Sequence, residues 1–150
     1  MAKAGETANF SAEEREAMKA AAAERRTARS RSKKDPEQIR REGEKELRGK
    51  LAELSGDDRK IGEALHELIT ENAPHLVPRT YYGMPAWGKD GKVLCFFQPA
   101  SKFKVRYATF GFDPIAALDE GTVWPTSFAV TKLGAKELAF FADLVRRAAS

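Results

Sequence analysis

Apolar side chains are spread unevenly along this chain. Between Ser11 and Gln38 the only large one is Met18, whereas from residue 57 onward they recur in short, regular rows. Ile61, Leu65, Leu68 and Ile69 fall on one side of a helix spanning residues 57–72, and Pro74 and Pro78 bracket its exit. The period then shortens to two. Asp90-Gly91 is a two-residue hairpin signal, because a type I′ turn needs positive φ at both positions. It joins a strand through Trp87 to "KVLCFFQ" (92–98), and "KFKVRYATF" (102–110) and "VWPTSFAV" (123–130) predict further strands. A closing helix, "GAKELAFFADLVRRAA" (134–149), turns Leu138, Phe141, Ala142 and Val145 inward. Helix, adjacent strands and helix make an α+β fold, an antiparallel β-sheet packed against helices, rather than βαβ alternation.

Upstream, residues 1–56 predict a charged helical extension, partly exposed to solvent. Ser11 with Glu14 three residues on has the spacing of a capping box, and alanines 20–23 favour helix. Without an apolar stripe to bury, this helix is expected to fray or project into solvent. A second helix starts at "DPEQ", with Asp35 as N-cap and Pro36 at the first helical position. Ile39, Leu47, Leu51 and Leu54 lie within about 120° of one another at 100° per residue, a stripe that thickens after Leu47. Docking is expected to begin there, with Gly43 and Gly49 weakening the helix. The folded domain proper is expected over residues 57–150.

Charge sharpens this division. The formal net charge is +4, but "RRTARSRSKK" (25–34) holds six basic residues and no acidic one. The single cysteine cannot form an internal disulfide, and no segment approaches the roughly 18 apolar residues of a membrane span. The opening "MAKAGETANF" has no apolar run of the secretory type. These features predict a cytoplasmic protein without membrane contact.

Several marks group along the second region: Ala73-Pro74, then Tyr82-Gly83-Met84-Pro85, then Gly91-Lys92 leading into Phe96-Phe97, and Trp124-Pro125 on a late strand. From about residue 57 to the C-terminus the chain resembles the YdhG-like family of small domains, one member of which is described as a frataxin-like iron chaperone. The resemblance implies an antiparallel sheet backed by helices and, more distantly, iron handling. Two departures stand out. Lys104-Val105-Arg106 occupies a place where many members carry a His-Ile-Gly-like step, and the 56 residues before the match are an addition.

Iron delivery uses labile oxygen donors clustered on one surface. Glu63, Glu67 and Glu71 at i, i+4 and i+8 align along one side of the 57–72 helix, with His66 beside them; the plain alternative is an ordinary solvent face. "HELIT" (66–70) fails as a zinc motif because Thr70 stands where a second histidine is needed, and His75 has left the register. Cys95, inside an apolar run, reads as a small hydrophobe rather than a nucleophile. No serine-histidine-acid signature and no phosphate-binding glycine loop is present, so nothing requires catalysis.

Both faces of "VLCFF" are apolar, and one of them needs a cover or a ligand. Extending the strand reading to 102–110 puts Lys104, Arg106 and Phe110 on one face and Phe103, Val105 and Tyr107 on the other. Tyr82, Met84, Trp87, Phe96, Lys104, Arg106 and Trp124 are the candidate lining of a groove for an anionic aromatic ligand, a peptide or a dimer mate. Arg25, Arg26, Arg29, Arg31, Lys33 and Lys34 could neutralise phosphates without base specificity, since no aromatics interleave with them; the alternative is a solvated tail. The expectation is a non-enzymatic binding or carrier domain of YdhG-like type with iron as a candidate cargo. Its rival is a protein- or nucleic-acid-interaction module.

Overall fold

Two tight turns organise the sheet. Tyr82-Gly83 (φ 53° and 76°) and Asp90-Gly91 (φ 53° and 77°) both take the paired left-handed angles that a two-residue hairpin requires. They link β1 (Val77–Tyr81) to β2 (Met84–Lys89) and β2 to β3 (Lys92–Gln98). β4 (Ala108–Phe112) and β5 (Ser127–Val130) complete a five-stranded antiparallel sheet in sequential order. The computed structural model describes residues 10–150, with helices α1 (Ala12–Arg31), α2 (Pro36–Ala52), α3 (Gly56–Asn72) and α4 (Ala135–Ala148) around that sheet. The protein is therefore α+β, with helices packed on a sheet. The reading of the chain's opening rests on residues 1–9, outside the described residues. No helix of the described residues is long and apolar enough to cross a membrane.

Strand register sorts the side chains into two faces. Trp87, Cys95 and Phe112 lie in one cross-strand row and Phe97, Phe110 and Phe128 in the next. These rows meet Leu47 and Leu51 of α2, Ile61, Leu65 and Ile69 of α3, and Phe141 and Val145 of α4 in a single buried cluster. The opposite face carries the row Arg79, Ala86, Phe96, Gly111 and Ser127, where the outer end of the Phe96 ring fills the space a side chain at Gly111 would take. A register shift at Trp87/Gly88 lets the sequence neighbours Leu94 and Cys95 both be fully buried.

Three expectations about the elements change. Residues 102–107 are turns and irregular chain, not strand, so the proposed alternation of Lys104 and Arg106 against Phe103, Val105 and Tyr107 does not exist. The 123–130 strand shortens to Ser127–Val130 and leaves Trp124 ahead of it. Packing also begins before Leu47. α2 lies so close to β1 that a methyl group on Gly43 would collide with the carbonyl oxygen of Pro78. Gly43 thus permits the closest helix–strand approach instead of merely weakening the helix. Arg40 fastens the same edge by donating to the carbonyls of Leu76 (3.1 Å) and His75 (3.3 Å). Buried packing continues without a break across residue 57, because Leu47 and Leu51 belong to the same cluster as α3 and the sheet.

Candidate nucleic-acid interface

α1 has no large apolar stripe, yet it docks. Ser11 caps it by accepting from the Glu14 amide (3.0 Å), as the spacing predicts. Ala17 and Ala21 are buried, small enough to let the helix lie against the domain. What holds it there is polar. Glu24 accepts hydrogen bonds from the backbone amides of Tyr82 (2.7 Å) and Gly83 (3.2 Å), two donors exposed by the tight turn. Glu13 pairs with Lys104 at 2.8 Å, which holds the Glu13 carboxyl below and the Lys104 amine above their ordinary values. The helix expected to project into solvent therefore lies on the β1–β2 turn and the 101–107 loop.

This docking sorts α1's charges. At about 100° per residue, Glu13, Ala17 and Glu24 share one side, while Lys19, Arg26 and Arg29 lie within about 80° of each other on the opposite side. The six basic candidates divide accordingly. Arg31 pairs with Glu42 (2.9 Å) and Glu46 of α2, and Lys34 pairs with Glu42 (3.1 Å), so both bind α1 to α2. Arg25, Arg26, Arg29 and Lys33 are exposed and carry no ion pair among the described residues. The result is a cationic outer surface on a helix whose inner acids are already engaged.

The candidate groove is not assembled. Trp87 faces the helices, is 1% exposed, and donates its indole N–H to His66 Nδ1 (3.2 Å). Because Nδ1 must accept, the ring hydrogen sits on Nε2, which lies 2.8 Å from Glu44 Oε1 of α2. Met84 is buried, Phe96 lies on the far face of the sheet, and Trp124 packs half-buried against the main core. Tyr82 and Lys104 meet α1 at separate places, Glu24 and Glu13, and Arg106 is exposed on the Lys104 loop, so none of the three shares a groove with Trp87. A cleft of about 440 Å³ at the α2–β1 edge reaches Trp87, Ile69 and Leu76, all so buried that they offer a ligand little surface.

The glutamate row does occupy one exposed side of α3, along an open cleft of about 660 Å³ between α2 and α3. Glu63 is paired with Arg59 at 2.9 Å, and His66 is turned inward. Among the described residues no group of three His, Cys, Asp or Glu side chains is placed to hold a metal ion. Cys95 is fully buried, and burial pushes its thiol far up, so it is not a nucleophile.

Sequence reasoning misses the polar anchors Glu13 and Glu24. Their signal is present as acidic residues in register with Ala17 on one helix side, opposite the cations. Comparison with known proteins adds nothing to this geometry: no protein-family model, no curated protein and no solved structure matches the chain.

Proposed function

We propose that this chain is a non-catalytic nucleic-acid-binding module that contacts phosphates through the outward side of α1. One observation carries the reading. Docking consumes the acids on α1's inner side and leaves Arg25, Arg26, Arg29 and Lys33 exposed without carboxylate partners. A helix held in place by its inner side presents Arg25, Arg26 and Arg29 at fixed spacing, with Lys33 on the turn just past its end, and each phosphate they neutralise releases counterions. Contacts of this kind position the backbone and read no sequence.

Fluorescence anisotropy with a labelled duplex at low salt tests this reading. Changing Arg25, Arg26, Arg29 and Lys33 together to Gln should remove most of the binding, whereas changing Glu63, Glu67 and Glu71 to Gln should leave it intact or slightly stronger. Unaltered affinity in the first variant would exclude α1.

The iron-carrier reading implied by the YdhG-like resemblance keeps one supporting observation: Glu67 and Glu71 stand exposed, one helical turn apart, without ion pairs among the described residues. Anaerobic Fe²⁺ titration by calorimetry, on wild type and on the Glu67→Gln/Glu71→Gln variant, tests it. A lack of saturable binding to wild type would remove it.

A further inference from the structure

We propose that Tyr82 and the 101–107 loop form a stacking platform beside α1 that makes the protein prefer unpaired nucleic acid over duplex. This rests on the nucleic-acid reading of α1 and specifies its substrate.

The surface is continuous with the helix. Glu24 accepts from the Tyr82 and Gly83 amides, Lys102 Nζ donates to the Gly83 carbonyl at 2.9 Å, and Lys104 meets Glu13. Each segment carries a partly open ring: Tyr82 on the turn is 36% exposed, Tyr107 on the loop 37%, and Val105 of the same loop 46%. Tyr81 braces the Tyr82 ring edge-to-face with centroids 4.8 Å apart, which limits the rotamer freedom that binding would otherwise have to remove. The Arg106 guanidinium lies 5.1 Å from the Tyr107 ring centroid, is exposed, and has no ion pair among the described residues.

Exposed rings beside a free cation suit a single strand, and among the described residues Arg106 is that cation, since Lys102 and Lys104 are engaged with the Gly83 carbonyl and Glu13. A single strand's bases have free π-faces to stack and its phosphates need counter-charges. A duplex keeps its bases stacked on one another and can use only the cations.

Backbone strain points to the same residues. Tyr82 and Lys104 both sit at φ 53°, a conformation that Gly and Asn adopt readily and a tyrosine or lysine does not. The third such residue, Asp90, occupies an ordinary Asp-Gly turn. For turn geometry alone Tyr82 is a poor choice, so its ring is the part of the residue that has a use.

The test compares anisotropy of a labelled oligothymidylate with that of a mixed-sequence duplex of equal length, at one salt concentration, using the full chain. Wild type should bind the single strand more tightly. Tyr82→Asn should keep or raise the melting temperature while weakening single-strand binding between about fivefold and a hundredfold, with duplex binding changed less than about twofold. Tyr107→Ala, on an exposed loop, should act in the same direction and serves if Tyr82→Asn proves unstable. Equal affinity for the two nucleic acids, or a single-strand affinity indifferent to both substitutions, overturns the platform while leaving the α1 reading in place. Failure to bind either nucleic acid overturns both.

Discussion

α1 and α2 are both rich in glutamate, lysine and arginine, and they meet different fates. α2 sends Leu47 and Leu51 into the central cluster and uses Gly43 to press against β1. α1 has only Ala17 and Ala21 to bury and is held by carboxylates at Glu13 and Glu24. Two helices dense in both signs of charge thus become one core element and one attached element, and a few apolar positions decide which. An apolar residue inside is stabilised by roughly 25 cal/mol per Å² removed from water. A carboxylate accepting from the exposed Tyr82 amide and the part-buried Gly83 amide gains less, because folding exchanges these bonds for ones made with water.

The sharpest way to break that contrast is to cut it. A fragment of residues 57–150 should fail to fold cooperatively, because it lacks Leu47 and Leu51 from the shared cluster. A fragment of residues 35–150, which keeps α2, should fold. Thermal unfolding by circular dichroism distinguishes these outcomes, and a cooperative transition in the shorter fragment would show that α2 is dispensable.

Point substitutions sharpen the same contrast. Leu47→Ala empties a site with no solvent exposure and should cost about 2–5 kcal/mol. Glu24→Gln should cost about 1 kcal/mol in denaturant titrations, since glutamine keeps one acceptor oxygen and the exposed Tyr82 amide can turn to water. If the two losses came out equal, α1 would be more deeply integrated than its contacts indicate.

The smallest effect concerns the α2–α3 seam. Burial tends to raise the Glu44 carboxyl, but the hydrogen bond with His66 and the neighbouring Arg48 outweigh it and leave it below its ordinary value of 4.5. A carboxyl depressed on folding stabilises fully above its unfolded pKa, and that stability is lost as pH falls through the folded value. Wild type should therefore lose melting temperature as pH drops from about 5 downward more steeply than Glu44→Gln does. Parallel profiles would show that the seam does not depend on this proton.

Much of the fold is legible in the sequence because it rests on local chemistry. Asp90-Gly91 makes its hairpin, the Ile61/Leu65/Leu68/Ile69 row makes α3, and Phe141 with Val145 forms the inner side of α4. The failures share a different cause. "KFKVRY" alternates as a strand does, but residues 101–107 are tied to α1 and the Tyr82-Gly83 turn by long-range polar bonds that no local period reports. The same blindness hides α1's docking. Burial through two alanines and two glutamates looks, in one dimension, like a solvated helix. Trp87 looks like groove lining because its partner, His66 on α3, lies 21 residues away. Site residues held by tertiary polar contacts are thus the least visible.

The most direct test of a docked helix with a cationic outer side is the slope of log affinity against log salt for the intact chain binding a duplex. If Arg25, Arg26, Arg29 and Lys33 meet phosphates, replacing all four with Gln should flatten that slope by roughly three to four, near 0.9 for each phosphate no longer neutralised. Slopes that coincide in wild type and variant, at any affinity, would contradict it.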